Sequence, residues 1–459
     1  MRHSRSWVLA GCMVCLPAMA AMSASDADRL GRDLTPTGAE RAGSSDGLIP
    51  AWTGRDAFTS RQLAVTRAEL EALRRQDPGQ VTALLAGRLL TESPRLTITR
   101  ANLSQHAAWL TEGHKALLQQ LPDYRMPVYA SVRNAFFPDP IVAATRQHAT
   151  TAALEGTDTP RGIRLGVPFP LPSNGAEVIW NHKLRYRGQG LRVVSQAASV
   201  GESGDAQLSS AQTELRFGYA NPEALAESGE PLVLQALSRT IAPSRLAGQA
   251  TLVHEPLTGE RAVWLYDPGR SRVLRAPGAG FDTPVTGASG LLYSDQIDGF
   301  NGSLARYDWK LVGKRAVYIP YNSYRMQSPA LKLADLLAKG SLNPAHARYE
   351  LHRVWEVEAT LKADQRHPIR MRRFYVDEDS WRIAAVDCYD SEGKLIRFQE
   401  AHLATLPYLP AVVGPEVTHD LGSGKYYVSG LVNESEIPDW TATFKSGHFL
   451  PQNLGKGGP

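Results

Sequence analysis

The chain of 459 residues holds three cysteines, Cys12, Cys15 and Cys388, and two of them fall in the first fifteen positions. If that segment is removed on export, Cys388 is left alone, and a single thiol makes no internal disulfide. Charge of one sign is also scarce. Basic residues number 50 and acidic residues 46, a net +4 without a long basic block, which argues against nucleic acid as a partner. Past the N-terminus no stretch approaches the roughly 20 apolar residues of a membrane-spanning helix. The common catalytic patterns are missing too. There is no G-x-S-x-G elbow, "GASG" at Gly287 to Gly290 being spaced differently, and no H-E-x-x-H, P-loop or dinucleotide fingerprint. No catalytic residue, cofactor or metal is therefore expected. His114, His182, His352, His367 and His402 are scattered, so only a triad assembled in space stays open.

What is present begins with a targeting signal. Arg2 and Arg5 precede an apolar run from Trp7 to Met19 that ends in Ala18-Met19-Ala20, a small-x-small cleavage pattern. Export with cleavage after Ala20 is expected. "LAGC" at Leu9 to Cys12 matches the lipoprotein box in letters, but its apolar core would be short, so lipidation at Cys12 is the secondary reading.

The first half carries helical spacing in "SRQLAVTRAELEALRRQ", "VTALLAGRLL" and "ANLSQHAAWLTEGHKALLQQL". "GVPFPLPSNGAEVIWNHKLRYRG" follows, and its "EVIWNHKLRYR" reads as the first strand of a sheet. Strand pairs then dominate. "AVWLYDPGRSRVLRAPG" predicts a hairpin around Asp267-Pro268-Gly269, and "RYDWKLVGKRAVYIPY" another around Gly313, with one helix in "SPALKLADLLAKGSL". In "RYELHRVWEVEATLK", Tyr349, Leu351, Trp355, Val357, Ala359 and Leu361 alternate with Glu350, His352, Glu356, Glu358 and Lys362. That period of two predicts one buried and one wet face.

Two clusters deserve a chemical reading. Asp377, Glu378 and Asp379 lie between strand-like "RMRRFYV" and "SWRIAAVDCYD"; turn chemistry accounts for them as a hairpin tip, and a metal or acid/base role is the alternative. In "LTPTGAERAGSSDGLIPAWTG", Thr37 and Glu40 fit a capping box and Asp46-Gly47 a turn. Trp52 and the polar Arg41, Asp46 and Arg55 are left over for a lid or docking surface.

These segments carry a family resemblance. "LTPTGAERAGSSDGLIPAWTG", "GVPFPLPSNGAEVIWNH", "VWLYDPGRSRVLRAPG", "YDWKLVGKRAVYIPYN" and the stretch Arg348 to Trp381 occur in order, and the chain resembles domain of unknown function 1329, a family of exported Gram-negative proteins. It departs at "GSSDG", Gly43 to Gly47, and in its Gly-rich end. The resemblance implies an α+β fold: a curved antiparallel sheet, an incomplete barrel similar to the lipoprotein-sorting proteins LolA and LolB, with helices on its concave side. The expected division is a signal peptide at 1–20, a helical N-terminal region at 21–165, an antiparallel half-barrel at 166–445 and a flexible tail at 446–459. The resemblance further implies a periplasmic carrier of a lipid or other hydrophobic molecule, serving a resistance-nodulation-division (RND) type transporter or an outer-membrane protein. A docking scaffold without ligand is the alternative, and an envelope hydrolase ranks behind it. Tyr349, Leu351, Trp355, Val357 and Leu361 are the candidate ligand-binding residues. The competing reading is that this apolar stripe simply fills the core.

Overall fold

The structure is a computed structural model. It describes residues 22–59, 65–66, 68–69, 78–90, 92–226, 232–276, 280–407, 409 and 411–455. The export segment, Cys12 and Cys15 lie outside the described residues, as does most of the helical pattern at 60–76.

The strands, in chain order, are β1 (Leu96–Ile98), β2 (Met126–Val128), β3 (Ala153–Glu155), β4 (Thr159–Arg161), β5 (Gly190–Val200), β6 (Ala206–Arg216) and β7 (Leu232–Ala242). Next come β8 (Ala250–Pro256), β9 (Ala262–Asp267), β10 (Arg272–Arg275), β11 (Tyr307–Pro320), β12 (Tyr349–Leu361) and β13 (Met371–Asp377). The last are β14 (Ile383–Tyr389), β15 (Leu395–Ala401), β16 (Ala404–Leu406), β17 (Ala411–Val413), β18 (Glu416–Asp420) and β19 (Lys425–Leu431). Helices α1 (Pro78–Leu90), α2 (Glu112–Gln120), α3 (Asp139–His148) and α4 (Gly175–Lys183) are the longest described.

Among the described residues fifteen strands form one sheet, ordered β1-β2-β12-β13-β14-β15-β18-β19-β5-β6-β7-β8-β9-β10, with β11 along β12. Its pairings are antiparallel apart from one parallel contact, Tyr349 of β12 with Val128 of β2. The ends of that order do not pair, so the sheet is open, not a closed barrel. Register shifts in the β11–β12, β13–β14, β14–β15 and β7–β8 pairs mark bulges, the local device that curves a sheet.

Helices cover both faces of one half. On one side, α2 starts from Thr111, whose hydroxyl accepts from His114 N–H, and its Gly113 sits so close to Phe398 that a Cβ would fall 1.9 Å from the ring. On the other, α4 presses Gly175 against Val357. Because β14 side chains alternate, Asp387 meets α2 while Val386 packs in the core beneath α4.

The expected hairpin at Asp267-Pro268-Gly269 is present as β9–β10, with Gly269 N–H donating to Asp267 Oδ1 at 2.9 Å. Several other expectations are corrected. "EVIWNHKLRYR" is not a strand: Asn174 caps α4 by accepting from Glu177 N–H at 3.0 Å, and the Glu177 carboxylate takes Ser173 N–H at 2.6 Å. This capping outweighs the strand preference of Val178-Ile179-Trp180. "RYDWKLVGKRAVYIPY" is not a hairpin but the single strand β11, and Gly313, at φ +145°, supplies a bulge in it. The expected wet face of β12 is buried over most of its length: Glu350 and His352 are as buried as Tyr349 and Leu351, and solvent is met only toward Glu358 and Thr360. Thr37 and Glu40 form no capping box, since residues 34–53 are turns and extended chain. In "SPALKLADLLAKGSL" the helix is one turn, Leu333–Leu336. After Lys445 the chain is built, not loose, as far as Gly455: Phe449 and Leu454 are buried against Leu237, Ala250 and Leu252.

Candidate ligand site

The acidic turn joins β13 to β14, and its local bonds are those of a turn. Asp377 Oδ2 accepts from Ser380 N–H at 3.0 Å and Ser380 Oγ at 2.5 Å, and Trp381 N–H returns to Asp377 O at 2.9 Å. Burial is the surprise: Asp377, Glu378 and Asp379 are 0%, 1% and 3% exposed. Arg133 explains how. Its Nε and Nη2 donate to the two Asp379 oxygens at 2.8 and 2.7 Å, and Nη2 also reaches Glu40 O at 2.7 Å. Glu378 accepts from Lys314 Nζ at 3.0 Å, Arg353 Nη1 at 3.4 Å and Glu40 N–H at 3.3 Å. Trp381 Nε1 donates to Thr37 O, and Trp52 Nε1 to Ala135 O. The loop singled out in the sequence is thus clamped onto the turn.

This turn also offers donor atoms for a cation. His352, Asp377 and Asp379 each place one within 4.8 Å of the others. Both Asp379 oxygens already hold a guanidinium, which fills the place of a cation in a bidentate pair. Burial and the neighbouring Asp379 push the Asp377 carboxyl up to about 6, and its Oδ1 has no partner. The donor set is better matched to Arg133 than to a metal.

A second buried cluster resembles catalytic machinery. Thr111 Oγ1 lies 3.0 Å from His114 Nδ1, whose Nε2 lies 3.3 Å from Glu400 Oε2. His402 and His419 approach the same carboxylate at 3.5 and 4.0 Å. All are buried, and Thr111 Oγ1 is engaged as the cap of α2, so no substrate reaches this row. Burial draws His419 down to about 4 and raises the Cys388 thiol to about 12. Cys388 therefore stays a protonated thiol rather than a nucleophilic thiolate.

The candidate ligand-binding residues are placed in close-packed core. Tyr349 and Leu351 belong to one cluster, and Trp355, Val357 and Leu361 to another. Neither of the two described cavities is lined by any of the five.

An apolar cavity of about 210 Å³ lies elsewhere, walled by Leu191 and Val193 of β5, Val413 of β17, Val432, Ile437 and Trp440. A polar-rimmed one of about 260 Å³ involves Tyr293, Lys394 and Arg397. From the apolar cavity two side-chain rows run outward across the sheet. The register aligns Leu191, Leu215, Ala236, Val253 and Val263 in one, and Val193, Thr213, Ser238, Thr251, Leu265 and Leu274 in the other. Leu265 and Leu274 remain 43% and 40% exposed. The opposite face of these strands is capped by the C-terminal stretch, with His254 near Phe449 O and Arg239 on Leu454 O. Sequence reasoning missed this surface because its strands mix apolar with hydroxyl side chains; the alternation is weaker than in β12.

Comparison with known proteins agrees with the sequence resemblance. The family model described as protein of unknown function (DUF1329) matches residues 97–455. The uncharacterized protein PA3922 of Pseudomonas aeruginosa is 40% identical over 455 residues, covering 97% of this chain and 96% of its own. Among solved structures, an outer membrane lipoprotein-sorting protein domain from Vibrio parahaemolyticus superposes with a TM-score of 0.43 and 14% identity, covering 61% of this chain and 98% of that one. A DUF1329 family protein from Desulfovibrio piger gives 0.42 and 14%, over 61% and 97%.

Proposed function

This chain belongs to the DUF1329 family, and on that premise we propose that it is an exported carrier or accessory protein of the cell envelope that holds a hydrophobic, lipid-like ligand. The observation that carries the reading is the apolar cavity beside β5 and β19 together with the half-exposed rows leading from it. A site enclosing a whole drug-sized ligand spans roughly 300–1,000 Å³. At about 210 Å³, this cavity takes part of a long chain, and the rest would lie along the rows. Each methylene so buried contributes about 0.8 kcal/mol. The sealed Thr111–His114–Glu400 row favours a carrier over a hydrolase.

The periplasm is the proposed location, with the signal removed after Ala20 and lipidation at Cys12 as the other processing route. An RND-type transporter or an outer-membrane protein is the proposed partner. Among the described residues no helix is long and apolar enough to cross a membrane. The docking-scaffold alternative draws on β10, an edge strand whose Arg272, Leu274 and Arg275 are exposed, a surface that can add a partner strand. Native mass spectrometry with lipid extraction, on protein purified from its own periplasm, separates the two. Stoichiometric co-purifying lipid is expected; repeated absence of lipid, with a retained protein partner, favours the scaffold.

A further inference from the structure

The C-terminal end of α4 feeds an unbalanced charge cluster. Arg185 Nη2 and Arg187 Nη1 donate to Asp298 at 2.5 and 2.9 Å, and Arg382 pairs with both Asp298 and Glu416. Three guanidiniums thus face two carboxylates. The imbalance repeats beside it, where Lys183 and Arg261 share Glu255 at 3.6 and 2.9 Å. The Nε–H groups of Arg185, Arg187 and Arg382 are buried without an acceptor. Burial draws Arg185 down to about 9 and Arg382 to about 10. A guanidinium holds its proton at any ordinary pH, so the shortfall is one of negative charge.

The cluster's position ties it to the apolar site. The Arg187 guanidinium lies 4.7 Å from the centre of the Phe217 ring. Phe217 packs in one group with Leu191, Val193 and Trp440, which wall the cavity. Glu255 pairs with Leu234 at the end of the open rows. The cluster meets solvent at Arg187, Asp298 and Glu416, whose side chains are 18%, 20% and 21% exposed, with Arg185 and Arg382 buried behind them at 3% and 4%.

We propose that Arg185, Arg187 and Arg382 receive the anionic head of the ligand, a carboxylate or phosphate, while its acyl chain occupies the apolar cavity beside β5 and β19. This rests on the hydrophobic-ligand reading above and names the ligand class: an acyl lipid with an anionic head. Guanidinium groups suit such a head because their N–H pairs match two oxyanion oxygens at once.

The test compares a dansyl-labelled undecanoic acid with its methyl ester, read by fluorescence on the mature full-length protein. The acid is expected to bind roughly tenfold more tightly than the ester, the scale of one charge-assisted hydrogen bond. Arg187→Gln should bring the acid-to-ester affinity ratio close to one, and Arg187→Lys should keep part of the preference. If Arg187→Gln does not fold, the wild-type acid-to-ester ratio still decides. Equal affinities for acid and ester overturn the head-group assignment and leave the apolar-ligand reading standing, whereas binding of neither probe overturns both. Inorganic phosphate that binds in an Arg187-dependent way without displacing the acid assigns the cluster to a free anion, and overturns the proposal as well.

Discussion

The two halves of the sheet solve the problem of covering a β-surface differently. From β11 to β15 both faces are packed, by α2 on one side and α4 on the other, and the strands internalise charge: Glu350, Asp377, Asp379, Asp387 and Glu400 are all buried. From β5 to β10 one face is capped by the C-terminal stretch and the other stays half-open, lined with Val, Leu, Thr and Ser. In the covered half Glu350, Asp379 and Glu400 are paired with Arg348, Arg133 and His114, while Asp377 and Asp387 are held by hydroxyl and backbone N–H donors; disturbing such buried groups costs much. The open half leaves apolar surface at Leu265 and Leu274, the feature on which the proposed ligand reading rests.

The largest way to break this comparison is at Arg133. Arg133→Met removes the counter-ion of Asp379 and leaves a buried carboxylate unpaired, so urea unfolding should show a loss of about 3 to 5 kcal/mol. A loss under about 1 kcal/mol would mean that the turn is wet and the halves are alike.

A smaller effect is expected at Val357. Its Cγ1 lies where a Cβ on Gly175 would come within 2.8 Å, so Val357→Phe overpacks and should cost about 1 to 3 kcal/mol in thermal unfolding. If the melting temperature barely moves and a fatty-acid probe binds less well, the ligand space lies under β12 after all.

Asp377 sharpens the contrast through pH. Its folded carboxyl sits at about 6 against an ordinary 3.8, so between those values the folded state binds the extra proton and stability falls as pH rises. His419, drawn down from 6.5 to about 4, pulls the other way: there the unfolded state binds more protons, and stability rises across the same window. The wild-type curve mixes both, and the difference from Asp377→Asn isolates the first. The variant should gain on wild type by about 2 kcal/mol between pH 4 and pH 6. A difference flat across that window would show that Asp377 is solvated.

The smallest stability effect is predicted in the open half. Leu265→Asn should change stability by no more than about 0.5 kcal/mol, as exposed positions do, while weakening retention of an apolar probe. A loss above about 2 kcal/mol would reveal that this face is covered.

The sequence conveyed local chemistry better than burial. The β9–β10 turn was readable because Asp267, Pro268 and Gly269 are adjacent and act on their own backbone. The identity of the acidic turn was readable for the same reason. Its burial was not, because the partner that makes burial tolerable, Arg133, lies 246 residues from Asp379. Gly313 was misread since one glycine serves a bulge as well as a turn, and α4 because its cap, Asn174 with Glu177, competes with three strand-forming residues. The cavity was invisible for a geometric reason. Leu191, Val413 and Trp440 come from separate elements and meet only when β19 pairs with β5.

The most direct test of a hydrophobic ligand held in the open half is photolabelling of the mature protein with a diazirine-bearing fatty acid, followed by peptide mapping. Label should concentrate in the peptides that carry Leu191 and Val193 and in those spanning Val432 to Trp440. Label confined to Tyr349–Leu361, or spread evenly over the surface without saturation, would contradict the account.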